Sequence, residues 1–256
     1  ALTTDLREMW RTFQGANYLV LIPGIVAYFI GVWFRTLRWQ VLLRGIKVIK
    51  VGKLFPIVVI GYMANNILPF RLGELVRGYY LKNKEEVSTA TALSTIFIER
   101  VMDGLALIAI LIGSSLFVPF DEIFSRLSDM TKINGSVLVA IFTLPFAMLF
   151  LLLTAIAVNT QKSFDIFTKL TSPLPIRLAS KVDRFTKDVI TGLNSLTSWK
   201  ITCKALVLSL PVWVLEAILF HSVLISLNII PNGTSVFQVF ASAASITAIT
   251  NIGASI

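Results

Sequence analysis

The chain has 256 residues, of which 55% are hydrophobic and 14% are charged, and its formal net charge is +9. Soluble domains contain about 45–50% apolar and about 25% charged residues. With a mean hydropathy of +0.80, this composition excludes a soluble enzyme, a disordered tail and a disulfide-rich secreted module, the last also because Cys203 is the single cysteine. The composition predicts a polytopic membrane protein whose excess lysine and arginine lies beside anionic lipid rather than on nucleic acid.

The chain begins at Ala1 without an initiator methionine and stops at Ile256 inside an apolar segment. We therefore expect residues 1–256 to be one transmembrane domain, truncated at both ends.

The first predicted span runs from Asn17 to Leu43, because a helix needs about 20 apolar residues to cross a bilayer. A stretch of basic residues without an acid follows from the end of this span: Arg35, Arg38, Arg44, Lys47, Lys50 and Lys53. By the positive-inside rule, this end of the span is cytoplasmic.

The next apolar segment, Leu54–Leu68, has only 15 residues and is followed by a further group of cations. A full crossing would place those cations outside, against the positive-inside rule. We therefore predict a re-entrant hairpin that breaks at Asn66–Pro69 and returns to the cytoplasm by Lys84. Irregular backbone at membrane depth is tolerated only where it is buried in protein or lines a wet cavity.

Four more spans are predicted beyond the hairpin. Thr89–Val118 leads outward to an acidic loop, Gly135–Val158 returns, Ile201–Ile230 leads outward again, and Val236–Ile256 re-enters. The expected fold class is therefore an all-α, polytopic helical membrane bundle with re-entrant hairpins.

The long polar segment 159–200 carries seven Lys/Arg against three Asp, with apolar residues at helical spacing. Pro173 and Pro175 mark the start of a helix, and Gly192 and Asn194 weaken its end. One interpretation is a basic amphipathic helix lying on the cytoplasmic leaflet. The alternative, of equal weight, is a loop helix that packs on the bundle.

A short internal echo relates Ala64–Leu68 to Thr250–Ala254, since both contain Asn-Ile. In the predicted topology the first enters from the cytoplasm and the second from outside. This arrangement is typical of the inverted repeats of transporters, so an inverted repeat is a second hypothesis about the fold.

Charged residues within spans are expensive and mark candidate sites. Glu99 and Asp103 are spaced i, i+4 and share one helix face, with Arg100 beside them. Glu216 and His221 lie within the Ile201–Ile230 span. The remaining charges beside the predicted hairpin break are Arg71, Glu74 and Arg77.

Two interpretations of these charges stay open. Arginine forks bind phosphate bidentately, so the residues could form a polar site for a headgroup. Alternatively, the charges simply neutralise one another between helices, and Glu216 is protonated. The sequence offers no metal-ligand spacing, no phosphate-binding glycine loop and no Ser/His/Asp arrangement, so we expect no metal and no cofactor.

Three motifs give the chain a family resemblance: Phe34-Arg35-Thr36-Leu37-Arg38-Trp39, Asn66-Ile67-Leu68-Pro69-Phe70-Arg71-Leu72-Gly73-Glu74-Leu75-Val76-Arg77 and Glu99-Arg100-Val101-Met102-Asp103-Gly104-Leu105. Together they resemble the transmembrane region of lysylphosphatidylglycerol synthases, which also occurs in a wider family of flippase-like membrane proteins. The family's further Pro-Gly-Gly motif would follow the point where this chain stops. No aminoacyl-transferase domain accompanies the region, so the resemblance does not imply synthase activity.

The resemblance implies translocation of an anionic, aminoacylated or polyprenyl-linked lipid across the cytoplasmic membrane. It places the following residues on the headgroup path: Asn66, Pro69, Arg71, Glu74, Arg77, Glu99, Arg100 and Asp103. Glu216 is added on physical grounds only. The expected partner is a membrane phospholipid or lipid-linked substrate, with a soluble synthase or glycosyltransferase and a homo-oligomer as further hypotheses.

Two other classes of function remain open at this stage. One is an integral-membrane transferase acting on a lipid or polyprenyl phosphate, and the other is a membrane scaffold for a separate synthase. The sequence favours a transporter over an enzyme, but leaves the lipid and the energy source undetermined.

Overall fold

The computed structural model describes residues 6–68, 72–114, 135–171, 175–227 and 236–253. Within these ranges the regular structure is helical, without strands, which confirms the all-α prediction. The helices are α1 Leu6–Gln14, α2 Leu21–Leu43, α3 Val51–Ile67, α4 Gly73–Glu85, α5 Thr89–Ser114, α6 Gly135–Val158, α7 Thr160–Thr171, α8 Ile176–Leu193, α9 Trp199–Ser226 and α10 Val236–Gly253. Short 3₁₀ turns over Tyr18–Val20 and Asn194–Thr197 precede α2 and α9.

The chain divides into two compact units. Unit 1 comprises Ala1–Gly31, Ala106–Ala140 and Leu210–Ile256, and unit 2 comprises Val32–Leu105 and Ile141–Ser209.

Two helical segments are long and apolar enough to cross a membrane, Tyr18–Leu43 and Trp199–Ser226. The pair Thr143–Val158 and Thr160–Lys169 would add a third if it is counted as one span bent by 96°. α5 has 26 residues and is therefore long enough, but it carries three charges within five residues near its middle. The predicted spans thus all contain helices, although residues 115–118, 228–230 and 254–256 lie outside the described part.

The long helices expose apolar side chains that a soluble protein would bury. On α2 they are Ile22, Ile25, Val26, Phe29, Ile30 and Trp33, and on α6 they are Leu144, Met148, Leu151 and Leu152. In a membrane protein these faces contact lipid tails, which are as apolar as the side chains themselves.

In unit 1, the start of the α2 segment lies against the end of α9. The backbone N–H of Asn17 donates a hydrogen bond to the carbonyl oxygen of Ser226, at 2.9 Å. A Cβ added to Gly24 would lie 2.9 Å from Cβ of Ser222, so the glycine allows the two helices to approach closely.

In unit 2, α3 and α4 form the predicted helical hairpin. α3 ends at Ile67, and Leu68 is extended, as expected for the residue before Pro69. The carboxamide oxygen of Asn65 then accepts a hydrogen bond from the backbone N–H of Gly73, at 2.8 Å. This contact ties the first turn of α4 to the last turn of α3.

The other end of the hairpin is closed by an ion pair. Lys53 Nζ lies 2.8 Å from Glu85 Oε1, and Lys47 Nζ donates a hydrogen bond to the backbone oxygen of Glu85. The start of α3 and the end of α4 therefore lie together, and the hairpin returns to the side from which it came. Its membrane side stays a prediction.

The apolar core of unit 2 joins five segments. Its buried members are Val41 and Leu42 of α2, Ile98, Val101 and Met102 of α5, Leu153 and Ala157 of α6, Leu193 and Leu196 around the end of α8, and Ala205 of α9. This core holds α2, α5 and α9 at fixed positions around the charged residues described below.

The polar segment 159–200 contains two helices rather than one. α8 begins after Pro175 and ends at Leu193, as the proline and glycine positions predict, while α7 was not foreseen. The last part of α8 packs on the unit, because Gly192 faces Thr91 and Ser94 of α5. The end of α8 therefore fits the packed interpretation, while the membrane-surface interpretation of the segment stays a prediction.

The echo motif Ala64–Leu68 falls at the end of α3, and most of Thr250–Ala254 falls at the end of α10, whose range stops at Gly253. The inverted repeat itself stays a prediction. The acidic loop 121–132 and residue Pro173 lie outside the described residues.

We predict that Gly73→Ala destabilises the hairpin. A Cβ at this position would overlap the backbone oxygen of Gly61 and the carboxamide of Asn65, so the helices must separate. Overpacking of this kind costs about 1–3 kcal/mol. The expected result is a lower thermal melting temperature of the purified protein in detergent. Gly52→Ala is the matched control, since nothing lies within 4 Å of its added Cβ.

We also predict that positions 50, 82 and 187 all face the cytoplasm. Single cysteines at these positions, in a Cys203→Ser background, should resist a membrane-impermeant maleimide in intact cells and react after permeabilisation. Labelling of position 82 from outside, with position 50 protected, would contradict the closed hairpin.

Candidate functional site

The centre of the candidate site is Arg38, whose side chain is 1% exposed. Its guanidinium is bidentate on Asp103 of α5: Nη1 donates to Oδ1 at 2.5 Å and Nη2 to Oδ2 at 3.3 Å. Nη1 also donates to Ser209 Oγ at 2.9 Å, and that hydroxyl donates onward to the carbonyl oxygen of Ala205. One arginine of α2 thereby links α5 and α9.

Glu99 lies between two arginines. Its Oε1 is 3.5 Å from Arg38 Nε, and its Oε2 is 3.0 Å from Arg77 Nη2 of α4. The guanidinium of Arg77 lies over the ring of Trp39, 4.1 Å from the centroid, a favourable cation–π geometry. Trp39 Nε1 donates to Thr95 Oγ1 at 3.0 Å, which fixes the ring in place.

The network continues to a more open edge. Arg100 Nη1 is 3.7 Å from Asp103 Oδ2, and Arg100 Nε is 3.4 Å from Glu74 Oε1 at the start of α4. The side chains of Arg100 and Glu74 are 35% and 32% exposed. Six alternating charges therefore form one series, which we name the charge chain: Arg77, Glu99, Arg38, Asp103, Arg100 and Glu74.

The charge chain has unused donors. The Nε–H groups of Arg38, Arg77 and Arg100 are buried and make no hydrogen bond within the part of the chain that the structure describes. Arg38 Nε lies near Glu99 and Arg100 Nε near Glu74, but these ionic contacts lack the alignment of a hydrogen bond. Buried polar groups are normally hydrogen-bonded, so three such donors in one network call for an explanation.

Five of the predicted site residues meet in the charge chain: Glu74, Arg77, Glu99, Arg100 and Asp103. The 3.0 Å contact between Arg77 and Glu99 joins the charges beside the hairpin break to those of α5. The prediction that Glu99 and Asp103 share a face is confirmed, because both bind Arg38.

The other predicted residues lie elsewhere. Asn66 is exposed at the end of α3, and its neighbour Asn65 makes the hairpin contact instead. Pro69 and Arg71 lie outside the described residues. Glu216 is half-buried on α9 in unit 1, whereas the charge chain belongs to unit 2. His221, five residues further along α9, packs edge to face against Phe240.

One sequence interpretation is wrong. Arg35 and Arg38 were assigned to the basic stretch at the cytoplasmic end of the first span, but both are buried, Arg35 beside the ring of Tyr62. The helix ends at Leu43, as predicted, but its two arginines turn into the protein, and the exposed cations of the stretch begin only at Arg44. Arginines inside a span need a carboxylate partner, and for Arg38 the acids of α5 supply it.

Ser209 was not predicted as a site residue, because a serine in an apolar helix is common and does not indicate a site. Arg38 could have been predicted, because a charged residue five positions inside an apolar helix is as unusual as Glu99. Among the described residues, no group of three His, Cys, Asp or Glu side chains could hold a metal ion.

These features define an all-α membrane protein with a buried ionic network between its helices. The chain belongs to the family of the lysylphosphatidylglycerol synthase TM region, whose family model matches residues 1–254.

Two relatives are archaeal membrane proteins of the family designated UPF0104. The one from Methanocaldococcus jannaschii is 30% identical over 141 residues, which cover 51% of this chain and 57% of the relative. The one from Methanothermobacter thermautotrophicus is 32% identical over 100 residues, which cover 38% of this chain and 29% of the relative. No solved structure matches the chain.

We predict that Arg38→Met strongly destabilises the protein. The substitution leaves Glu99 and Asp103 buried with an incomplete set of partners, and breaking a buried pair costs about 3–5 kcal/mol. The measurement is the melting temperature and folded yield in detergent, with the exposed Arg44→Met as the control. Equal melting temperatures for the two variants would contradict the central role of Arg38.

Proposed function

We propose that the protein moves a lipid with an anionic phosphate headgroup between the leaflets of the cytoplasmic membrane, as a multi-pass protein. The observation that carries the proposal is the charge chain, which runs from the one-third exposed pair Arg100–Glu74 to side chains that are 1% exposed. Family membership supports a lipid-related role for such a site.

The chemistry of the charge chain fits a phosphate. Each arginine presents a fork of N–H donors, and arginine forks bind phosphate oxygens bidentately. The three unused Nε–H groups are donors that a phosphate could accept from without first breaking a hydrogen bond.

The alternation of charge provides a means of passage. A headgroup that enters at Arg100 takes the place of Glu74, and a headgroup that moves inward then competes for Arg38 with Asp103 and Glu99. Each exchange replaces one charge-assisted contact with another, so the phosphate is never left without a partner. Exposed apolar faces of α2 and α6 are suited to keeping the tails in lipid.

We predict that Arg100→Ala lowers lipid translocation while the protein stays folded. Removing one guanidinium gives up charge-assisted hydrogen bonds of about 1.5–3 kcal/mol each, and 1.4 kcal/mol corresponds to a tenfold change, so the rate should fall by about tenfold or more. Since Arg100 and Glu74 are a third exposed, their pair contributes little to stability, about 1 kcal/mol or less.

The assay is access of dithionite to a fluorescent anionic phospholipid in proteoliposomes, normalised to folded protein. Glu74→Gln should also change the rate, whereas Arg44→Ala, which removes an exposed arginine outside the charge chain, should match the unmodified protein. We choose these variants over Glu99→Ala, because Glu99 is 1% exposed and its loss would affect folding. A normal rate in Arg100→Ala and Glu74→Gln would mean that the charges only hold the helices together.

A further inference from the structure

A second group of charges lies on the polar segment formed by α7 and α8, outside the charge chain. This segment exposes large apolar side chains although it is otherwise hydrophilic: Ile166 is 66% exposed, Leu178 is 48% exposed and Phe185 is 58% exposed. Exposed apolar side chains that stand between cations on a helix are typical of a helix that lies on a membrane surface.

The apolar side chains alternate with cations on the same helix faces. On α7, Lys162, Ile166 and Lys169 are spaced i, i+4, i+7. On α8, Leu178, Lys181 and Phe185 are spaced i, i+3, i+7. Lysine stems that flank an apolar side chain can reach outward to phosphate groups while the apolar side chain enters the acyl region.

The connections of the segment are those expected for a position at a membrane surface. The helix axis bends by 96° between Thr143–Val158 and Thr160–Lys169. If α6 crosses the bilayer, α7 therefore runs nearly parallel to its surface. At the other end, α8 is followed within six residues by Trp199, which is 78% exposed at the start of an apolar span, the position of an interfacial tryptophan.

α8 also borders an open cavity of about 540 Å³ lined by Ser180, Lys181, Arg184, Phe185 and Asp188. Among the described residues, its lining combines two cations, one acid, one hydroxyl and an aromatic ring. The two cations give it the charge that complements a phosphate, and the ring gives it an apolar edge for the first part of an acyl chain.

The C-terminal half of α8 is fixed to the rest of unit 2. Thr186, Ile190 and Leu193 are buried, and Thr91 Oγ1 of α5 donates to the backbone oxygen of Asp188 at 2.9 Å. The exposed face of α8 is therefore held in a set orientation, with Leu178 and Phe185 directed away from the packed residues.

We infer that α7 and α8 form a membrane-surface site for anionic phospholipid in the leaflet that the end of α6 reaches. Ile166, Leu178 and Phe185 enter the headgroup–acyl boundary, and Lys181 and Arg184 hold a lipid phosphate in the cavity. This site is separate from the charge chain and does not depend on translocation.

The test uses the full chain with Cys203→Ser and Phe185→Cys, labelled with an environment-sensitive fluorophore, in vesicles with and without phosphatidylglycerol in phosphatidylcholine. With phosphatidylglycerol present, emission should shift to the blue and a lipid carrying a shallow acyl spin label should quench it. Lys187→Cys is the matched control, because it lies two residues away on a different exposed face of α8 and should keep a solvent-like spectrum.

Lys181→Glu with Arg184→Glu in the Phe185→Cys protein should abolish the added quenching that phosphatidylglycerol produces. If the Phe185→Cys protein that keeps Lys181 and Arg184 is quenched equally with and without phosphatidylglycerol, recognition of the anionic headgroup is overturned. A solvent-like spectrum at position 185 in both vesicles would overturn membrane contact altogether and leave this surface to a soluble protein.

Discussion

The arrangement of unit 2 depends on the need to satisfy one buried arginine. Arg38 places a full charge within an apolar helix, where an unpaired charge costs several kcal/mol. The bidentate contact with Asp103 fixes the rotation and height of α5 against α2, and the contact with Ser209 does the same for α9. The apolar core formed by Leu42, Met102 and Ala205 then packs helices whose relative positions the ionic contacts already restrict.

The hairpin depends on the same constraint through Arg77. A Cβ at Gly61 would overlap the side-chain stem of Arg77, so the glycine of α3 makes the space through which this side chain passes. Gly73 allows α4 to begin directly against α3, and Asn65 holds it there. Two glycines and one carboxamide thus position α4 so that Arg77 reaches Glu99, where its charge is matched.

Much of this could be predicted from the sequence, because hydropathy and charge act locally. The short apolar segment with cations at both ends predicted the hairpin, Pro175 predicted the start of α8, and the i, i+4 spacing of Glu99 and Asp103 predicted a shared face. Arg38 was misassigned for a physical reason: an arginine near the end of a span can either reach the headgroups or turn inward to an acid. The local sequence does not show which orientation Arg38 takes, because its acidic partners Glu99 and Asp103 lie about sixty residues further along the chain. Asn65 and Ser209 act only through tertiary contacts and could not be found from local pattern.

The pairing of all six charges does not by itself show that the ion pairs serve only to hold the helices together. A structural lock is most effective where every charge is fully desolvated, as at Arg38 and Glu99, and contributes little where side chains are a third exposed. Extension to an accessible edge is what a site that exchanges partners requires, because the first exchange must occur where breaking an ion pair costs little. The graded exposure of the charge chain, rather than the number of its ion pairs, is therefore the property that supports the proposed exchange of partners.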